Sequence, residues 1–373
     1  MLIGVDAHNL EGKRTGVGRY VFNLLQEWSK LSENKFVLYF KSEIPQDIPK
    51  SEFFECKLLK VGSAAKFTHW SLPRAAKKDK VDILFCPAYV APLFYKGKVA
   101  LTLHDISYEA RPEEFNWPSL ADKILLKWAS KKAAQRASVI FTPSEFSRQE
   151  VIKYYGIPAE KIVATPLSAD SSLFLSPEKL EEKIAAIKEK YSLGDKFIFY
   201  VGSIFTRRHL TEIIQAFEQL AVVSQCQLLI GGQDYTDGKA VDKLAKKVNN
   251  KLKYEAILRV DFIGDEELKL LYSACAFFIW LSDYEGFGLP PLEAMAIGVP
   301  VITSDSTSLK EVAGQAALLI KNNFDTGEIY QAMKSLAENE SLRQELIQKG
   351  KEQAAKFSWP SCAEKTLEKL LKS

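Results

Sequence analysis

The sequence predicts an α/β protein with two doubly wound, Rossmann-like domains that face each other across a cleft. Short apolar runs rich in β-branched residues alternate with amphipathic segments along nearly the whole chain, which is typical of parallel sheets covered by helices. The 373 residues are too many for one ordinary core, and the pattern restarts after a small polar stretch at 167–172. We therefore expect domains over residues 1–168 and 169–357, and an amphipathic helix over 358–373 that packs back towards the first domain.

The individual elements follow from the same alternation. Short apolar runs predict strands at 2–6, 36–40, 83–86, 99–104 and 139–142 in the first domain, and at 197–202, 227–230, 261–263, 277–281 and 299–303 in the second. Helical periodicity predicts helices at 18–31, 119–135, 144–155, 209–222, 268–275 and 359–372. In open sheets of this kind ligands bind beyond the carboxyl ends of the strands, so polar residues at those ends are the functional candidates.

Composition places the chain among globular proteins with sizeable cores. Hydrophobic residues make up 47% and charged residues 26%, which is ordinary for packed domains. The start, MLIGVDAHNL, lacks the pattern of a secretory signal, and no apolar run reaches the ~18–20 residues that cross a bilayer, so we expect a cytoplasmic protein. The five cysteines include no C-x-x-C pair and the four histidines lack metal-ligand spacing, so we expect neither disulfides nor a metal site.

Two glutamates flank a bend rich in glycine and proline in the stretch SDYEGFGLPPLEAM. Glu285 and Glu293 follow a predicted strand, and a helix that opens at Pro290 would point amides and its positive dipole end at an anion. Carboxylates beside an anion site suit a ligand that also presents hydroxyls, as a nucleotide sugar does. The alternative is structural, because a glutamate early in a helix, such as Glu293, can bond a cap amide without touching any ligand.

A second cluster follows the predicted strand 197–202. Arg207 and Arg208 precede a helix, and guanidinium groups bind oxyanions with a rigid fork of donors, so the turn from Ser203 onward is a candidate phosphate grip. Arginines before a helix are otherwise often merely solvated. The position at a strand end in the second domain favours the functional interpretation.

The first domain offers two further candidate segments. The stretch TGVGRY contains Gly16 and Val17 and predicts a loop that approaches a ligand closely. It fits the dinucleotide fingerprint G-x-G-x-x-G poorly, because Val21 stands where the third glycine belongs, so the sequence gives little support to an NAD site. His104 and Asp105 end a predicted strand, where polar residues face a cleft, and a structural role is the alternative for both.

Together these segments resemble the retaining GT-B glycosyltransferases of family 4. The likeness is carried by Glu285-Gly-Phe-Gly-Leu-Pro-Pro-Leu-Glu293-Ala-Met-Ala and the following Gly298-Val-Pro-Val. Other segments fit in order: the glycine loop, His104-Asp105, Thr142-Pro-Ser-Glu145, the strand and basic turn, and Glu311-Val312. The resemblance covers nearly the whole chain and is most specific over residues 280–312.

The resemblance implies a role for each matching position. Glu285 would contact the donor hexose without acting as a nucleophile, Glu293 would bind the ribose hydroxyls, and the arginines would neutralise the diphosphate. The implied catalytic residues are Glu285, His104, Arg207 and Arg208. The implied substrate-binding residues surround the nucleotide sugar: Gly16, Val17, Asp105, Ser203, Asp261, Phe262, Ile263, Gly286, Phe287, Gly288, Leu289 and Glu293. His209 is a departure, because the family commonly has asparagine or glycine there.

The implied function is transfer of a hexose from a nucleotide-diphosphate sugar to a glycan or lipid-linked acceptor, with no cofactor and no metal. GDP-mannose is the first candidate donor, from overall likeness to bacterial mannosyltransferases, and UDP-hexoses follow. A sugar-nucleotide epimerase, a phosphorylase and a non-catalytic sugar-nucleotide-binding protein are the alternatives on the same architecture. A nucleic-acid-binding protein is disfavoured, since no recognisable module of that kind is present.

The first half of the chain is basic. Residues 1–168 hold 25 of the 50 Lys and Arg but only 18 of the 47 Asp and Glu. Within it, residues 123–136 space lysines by four beside Trp128 and leucines, a pattern typical of a helix lying on a membrane surface. An ordinary buried stripe beside a solvated face explains the pattern equally well. The first interpretation places the protein at the inner face of a membrane.

Overall fold

The computed structural model describes residues 1–14, 16–31, 33–114, 119–170, 173–175 and 178–373. These residues form two compact units, Met1–Leu167 with Ser358–Ser373, and Ser168–Phe357. Each unit contains a parallel sheet covered by helices, so the predicted fold class is confirmed. Thr15 and part of the predicted polar stretch 167–172 lie outside the described residues.

The sheet of the first unit is parallel at every described pairing. Its strands are β1 (Leu2–Asp6), β2 (Lys35–Phe40), β3 (Phe54–Leu58), β4 (Ile83–Cys86), β5 (Lys98–Thr102), β6 (Val139–Thr142) and β7 (Ile162–Ala164). They lie in the order β3-β2-β1-β4-β5-β6-β7. The central strands are almost wholly buried, because helices cover both faces of a parallel sheet, and they therefore read as continuous apolar runs.

Helices connect these strands within the first unit. They are α1 (Gly16–Leu31), α2 (Ala64–Lys66), α3 (Leu72–Asp79), α4 (Ser107–Ala110), α5 (Leu120–Arg136) and α6 (Glu145–Tyr155), with a π-helical turn at Phe67–Ser71 between α2 and α3. α1 buries Tyr20, Leu24 and Trp28, which recur every four residues and so share one face of the helix. That stripe places the start of α1 beside the carboxyl ends of the central strands, since Tyr20 reaches Thr102 at the end of β5.

The second unit repeats the same scheme with another parallel sheet. Its strands are β8 (Phe197–Val201), β9 (Gln227–Gly231), β10 (Ile257–Val260), β11 (Phe277–Trp280), β12 (Val301–Ser304) and β13 (Leu318–Ile320), in the order β10-β9-β8-β11-β12-β13. Its helices are α7 (Leu180–Lys190), α8 (Leu210–Val223), α9 (Ala240–Leu252), α10 (Asp265–Ala274), α11 (Leu289–Ile297), α12 (Thr307–Ala313), α13 (Thr326–Glu338) and α14 (Glu340–Ala354).

The last helix, α15 (Trp359–Lys372), belongs to the first unit and packs against α1. Its start is fixed by Ser358, whose side chain accepts a hydrogen bond from the amide of Ser361. The indole N–H of Trp28 donates to the carbonyl of Ala363 at 2.9 Å. This bond satisfies a buried donor that would otherwise be costly.

The predicted strand at 261–263 is wrong. The strand is Ile257–Val260, because Ile257 and Leu258 are buried and pair with β9, whereas Asp261 and Phe262 are exposed beyond the strand end. The sequence also missed three short strands: β3, β7 and β13. β3 carries exposed Glu55 and Cys56 at the sheet edge, so it lacks the apolar run that marks the buried strands.

Each sheet has one point where the strand order reverses. β1 lies between β2 and β4 in the first sheet, and β8 lies between β9 and β11 in the second. The connections leave such a pair of strands in opposite directions, which opens a crevice at their carboxyl ends where ligands bind in folds of this type. None of the described helices combines the length and apolar character needed to cross a membrane.

Candidate active site

The predicted basic turn and acidic loop meet at the reversal point of the second sheet. Residues 202–209 follow β8 and residues 281–288 follow β11, and these two strands are hydrogen-bonded neighbours. Two segments that are far apart in sequence therefore leave the same edge of the sheet side by side. This is the position that an open α/β sheet offers to a ligand.

Arg208 is buried, and its guanidinium carbon lies 4.2 Å from the centre of the Trp280 ring. Trp280 in turn stacks on Tyr200, with ring centres 5.1 Å apart. Gly202 is required beside this stack, because it has φ 148° and a Cβ there would lie 2.6 Å from the indole. A cation held on an aromatic face keeps its position without giving up its hydrogen-bond donors.

The carboxylate of Glu285 forms an ion pair with the guanidinium of Arg208, and both side chains are largely buried. The two residues are 77 positions apart in sequence, so only the pairing of β8 with β11 brings them together. Arg207 lies beside them, with its guanidinium carbon 4.6 Å from the Phe205 ring centre. Two cations and one carboxylate at one crevice suit a ligand that carries both negative charge and hydroxyl groups.

Tyr200, which stacks on Trp280, is fully buried beside the basic turn. Desolvation raises the pKa of Tyr200 to about 12, although the nearby cations Arg208, Arg207 and Arg259 pull in the opposite direction. Charges act more strongly in such a desolvated place than in water. The two arginines of the turn are therefore well placed to act on a negatively charged ligand.

The loop that carries Glu285 is held by serine side chains from β12 and the segment after it. The amide of Ser282 donates to the Ser304 hydroxyl at 2.9 Å, and the Ser308 hydroxyl donates to the Glu285 carbonyl at 2.8 Å. Gly288, at φ 112°, ends the loop and immediately precedes α11. A side chain there would be strained, and its Cβ would meet Leu309 at 2.8 Å. The loop is thus fixed on both sides of Glu285.

The start of α11 differs in one respect from a simple anion-binding helix end. The helix begins at Leu289, with Pro290 and Pro291 next. Proline has no amide hydrogen, so these two positions supply no donors. Any amide donors for a ligand must come from residues 286–289, of which Gly286, Phe287 and Gly288 are buried.

Glu293 lies one turn further along α11 and is 8% exposed. The hydroxyl of the fully buried Tyr272 donates to its carboxylate at 3.5 Å, a long hydrogen bond. Ser203 is exposed in the basic turn, and its carbonyl accepts from the Tyr200 hydroxyl at 3.4 Å. The predicted residues Asp261, Phe262 and Ile263 follow β10 at the same carboxyl edge, two strands away from β8.

The first unit holds the remaining predicted residues, near its own strand ends. Gly16 and Val17 begin α1, and Tyr20 one turn later packs edge-on against the ring of His104 at 4.9 Å. Nε2 of His104 lies 2.9 Å from the Pro87 carbonyl. Burial lowers the pKa of His104, opposed in part by that carbonyl and by Asp105. The neutral imidazole is therefore favoured.

Asp105 has local partners. Its carboxylate accepts from the amide and hydroxyl of Ser107 at 2.9 and 2.6 Å, and from the Tyr89 hydroxyl at 3.3 Å. An aspartate that bonds the backbone two residues ahead shapes a turn. These contacts support the structural alternative for Asp105.

Sequence reasoning missed two pairs that involve histidine. At the end of β1, Nδ1 of His8 lies 2.6 Å from the carboxylate of Asp6. In the second unit, Nε2 of His209 lies 2.8 Å from the carboxylate of Asp283. Asp6 ends a predicted strand and Asp283 follows one, so the rule that drew attention to His104 would have found both. Among the described residues, no group of three or more His, Cys, Asp or Glu is arranged to hold a metal ion.

Several solved structures share this fold. Sucrose-phosphate synthase from Thermosynechococcus elongatus superposes with a TM-score of 0.77 at 17% identity, covering 100% of this chain and 98% of that chain. HepE from Anabaena, solved in complex with UDP and glucose, has a TM-score of 0.75 at 15% identity, covering 100% and 99%. WaaG, a glycosyltransferase involved in lipopolysaccharide biosynthesis, has a TM-score of 0.74 at 14% identity, covering 98% of each chain. The fold is therefore that of the GT-B glycosyltransferases.

Sequence comparison narrows this class to a family. Residues 14–172 match the family model "Glycosyltransferase Family 4", and residues 182–353 match "Glycosyl transferases group 1". O-antigen chain mannosyltransferase B of Escherichia coli is 30% identical over 380 aligned positions, which cover 95% of each protein. O-antigen chain mannosyltransferase RfbU of Salmonella typhimurium is 28% identical over 256 positions, covering 68% of this chain and 65% of that protein. The chain belongs to glycosyltransferase family 4, and the resemblance predicted from its sequence is confirmed.

Proposed function

We propose that this glycosyltransferase transfers a hexose, with mannose as the first candidate, from a nucleotide-diphosphate sugar to a glycan or lipid-linked acceptor. The observation that carries the proposal is the buried Arg208–Glu285 pair at the reversal point of the second sheet. The names of the relatives, two of which are mannosyltransferases of O-antigen chains, support the choice of sugar. In this proposal the second unit binds the nucleotide sugar and the first unit binds the acceptor.

The roles of the charged groups follow from the bond that breaks. When the bond between the anomeric carbon and the diphosphate oxygen breaks, its electron pair goes to the diphosphate, and positive charge develops on the sugar ring. Arg207 and Arg208 would stabilise the leaving diphosphate by preorganised electrostatics. Glu285 would bind the sugar hydroxyls, His104 would contact the sugar, and Glu293 would accept hydrogen bonds from the ribose.

Retention of configuration is proposed to occur by attack from the same face as the leaving group. The acceptor oxygen forms the new bond to the anomeric carbon, and its proton passes to the departing diphosphate oxygen. This route needs no covalent sugar intermediate, so Glu285 is not assigned as a nucleophile. The two arginines supply the positive charge, so no metal or other cofactor is part of the proposal.

In this proposal, donor binding disrupts the Arg208–Glu285 ion pair. Arg208 and Glu285 satisfy each other's charge, and both side chains are largely buried. A diphosphate competes for the guanidinium of Arg208, and the released Glu285 carboxylate can then accept hydrogen bonds from the sugar. A free nucleoside monophosphate carries less charge to compete with, so it should bind much more weakly than the diphosphate.

Donor identity is testable with two linked measurements. Thermal unfolding is followed with GDP-mannose, GDP-glucose, UDP-glucose and UDP-N-acetylglucosamine, because a ligand of the native state stabilises it by mass action. We expect GDP-mannose to give the largest shift. Nucleotide release with a glycan acceptor is then assayed by chromatography, and we expect free nucleoside diphosphate only when the acceptor is present. Release of free diphosphate without acceptor, or isomerisation of the sugar while it stays on the nucleotide, would argue against transfer.

We also propose that the first unit touches the inner face of a membrane from the cytoplasm. α5 exposes Ile124, Leu125 and Trp128, while Ala129 and Ala133 further along the helix are buried. Lysines flank the exposed apolar side chains, which is the pattern of a helix lying at a lipid surface. This favours the membrane interpretation over a purely solvated face.

A second feature of the first unit also fits a lipid surface. A groove of about 560 Å³ is bordered by Trp70 and Phe94, which are 52% and 75% exposed, together with Arg74, Lys77 and Lys96. Within the described part of the chain these three cations form no ion pair. Exposed aromatic rings among uncompensated cations fit an anionic bilayer.

Sedimentation with liposomes tests the membrane contact. The double variant Leu125→Ser/Trp128→Ser should lose most of its binding to vesicles that contain anionic phospholipid. Val222→Ser, which removes an equally exposed apolar side chain from the second unit, is the matched control and should bind as the wild type does. Failure of the wild-type protein to sediment with anionic vesicles at low salt would remove the proposal.

A further inference from the structure

His209 occupies an unusual place in the basic turn. It lies between the turn Thr206–Arg208 and α8, and it is 2% exposed. Its backbone is left-handed at φ 52°, a conformation that glycine and asparagine adopt more readily than histidine. A larger residue persists in such a position only when its surroundings favour it strongly. The reason for histidine must therefore lie in what its ring contacts.

Both ring nitrogens of His209 face carboxylates. Nε2 lies 2.8 Å from Oδ1 of Asp283, and Nδ1 lies 3.6 Å from Oε2 of Glu212. The ring edge packs against Phe324, with ring centres 4.6 Å apart and the planes at 88°. A neutral imidazole has only one N–H, so it would turn a lone pair towards one of the two carboxylates. The two carboxylates therefore favour the imidazolium, because they attract its positive charge, and both contacts are ion pairs without hydrogen-bonding geometry.

Asp283 connects the ring to the loop that carries Glu285. Its amide donates to the carbonyl of Arg207 at 3.1 Å, and its carboxylate accepts from the side-chain amide of Asn323 at 3.0 Å. The Ser304 hydroxyl donates to Asn323 at 2.7 Å and also accepts from the amide of Ser282. Asp283, which His209 contacts, is thus one end of a hydrogen-bonded chain that reaches β12.

Two side-chain ion pairs, in addition to the backbone bond from Asp283 to Arg207, therefore join the basic turn to the acidic loop. Arg208 pairs with Glu285, and His209 pairs with Asp283 two residues earlier. The proposed donor competes for the first link, whereas the second involves no group that the donor is proposed to bind. We propose that His209, as the imidazolium, is a positioning residue that holds the loop of Glu285 beside the two arginines while the donor is bound. Its effect on transfer rests on the proposed function.

The charges around His209 support its protonated form. Burial lowers the pKa of His209, but Asp283 and Glu212 outweigh this and raise it to about 9. Arg207 and Arg208 precede His209 in the chain, and the loop of Asn323 and Phe324 contributes no charge to the contact. Because the folded-state pKa exceeds the ordinary 6.5, the stabilisation is complete below 6.5 and is lost as pH rises through about 9.

The first experiment does not depend on catalysis. NMR of the full-length protein labelled with ¹⁵N-histidine reports the protonation of each ring, and His209→Asn assigns the signal by its loss. We expect a doubly protonated ring at pH 7.5, and a titration midpoint that falls by about one pH unit or more in Asp283→Asn. A neutral His209 ring at pH 7.5, or an unchanged midpoint in Asp283→Asn, would overturn the proposal.

The second experiment measures transfer across pH. At pH 7, His209→Asn should lower kcat about tenfold while the KM for donor changes less than about threefold, since the arginines remain but Glu285 is misplaced. The alkaline decline of the wild type near pH 9 should be absent from the variant. Lys253→Asn, the same exchange to asparagine at another left-handed position at the end of α9, is the control and should behave as the wild type does.

The outcomes separate the two proposals. A wild-type kcat and pH profile in His209→Asn would overturn the positioning role even if the enzyme transfers hexose. A charged ring that depends on Asp283, in a wild-type protein that turns over no nucleotide sugar, would defeat the proposed function while the link between turn and loop stands. Asp283→Asn should reproduce the kinetic effect, and the double variant should add little to either single change.

Discussion

The two sheets have the same order of strands up to the sixth, yet the reversal points carry different chemistry. At the first, between β1 and β4, Asp6 pairs with His8. At the second, between β8 and β11, two arginines stand beside two acidic side chains, and two ion pairs cross from one strand end to the other. The same fold therefore carries a single Asp–His pair at the reversal point of the first unit and several charged side chains at that of the second. Function is set by the side chains placed at the strand ends, while the scaffold stays the same.

The position of the positive charge differs in the same way. The first half of the chain holds the larger excess of Lys and Arg, but the buried guanidinium of Arg208 lies in the second unit. Exposed cations are screened by salt and water, whereas a buried cation acts strongly on a bound anion. Net charge therefore points to surface contacts of the first unit, and burial points to the anion site of the second.

The largest effect is expected from Glu285→Gln. The variant keeps the shape of the side chain but removes its charge, so transfer should fall by about 10²–10³-fold while the fold survives. Initial rates of nucleoside diphosphate release measure the loss, and circular dichroism checks the fold. Glu266→Gln, at a mostly exposed glutamate of the same unit, is the control. Near-normal turnover would remove Glu285 from the site.

A somewhat smaller effect is expected from Arg208→Lys. Lysine keeps the charge but loses the planar fork and the stacking on Trp280, so affinity for a nucleoside diphosphate should fall about 10–50-fold. Calorimetric titration with diphosphate and monophosphate separates the contribution of the terminal phosphate. Arg343→Lys, at an arginine on α14 that pairs with Glu340, should change neither titration. Equal losses for both nucleotides would contradict a contact to the terminal phosphate.

Glu293→Gln should mainly raise the KM for donor, by about three- to tenfold, and leave kcat nearly unchanged. If Glu293 accepts hydrogen bonds from the ribose, a 2′-deoxy donor should lose affinity in the wild type and little further in the variant. Kinetics with the two donors measure this coupling. Equal losses with both enzymes would favour the structural alternative, in which Glu293 serves only Tyr272.

The smallest effect concerns the first reversal point and appears in stability. Burial pulls the pKa of His8 down, but Asp6 raises it overall, so the pair stabilises the fold below the ordinary value of 6.5 and less as pH rises. Asp6→Asn should therefore lower Tm by about 3 °C at pH 6 and by less at pH 9. Thermal unfolding at the two pH values measures the difference. A loss that grows with pH would contradict the charged pair.

Much of the fold was predictable because its signals are local. β1, β4 and β6 were predicted with their observed bounds, and so was α15, since each is marked by an uninterrupted apolar run or a helical stripe. β3, β7 and β13 were missed because they lie at the sheet edges and are short or only partly buried, so they lack a long uninterrupted apolar run. A strand that owes its stability to its partner carries little signal of its own.

The sequence by itself determined that charged and glycine-rich segments follow the strands and that the most specific family motif lies within residues 280–312. The tertiary structure decided which of these residues touch: Arg208 with Glu285, His209 with Asp283, and Arg208 with Trp280. The strand ends with these residues are joined by β8–β11 pairing, a contact between segments nearly eighty residues apart in sequence. The spacing along the chain gives only the position of each residue in the sequence. The packed sheet determines which side chains come close enough to form a salt bridge or a hydrogen bond.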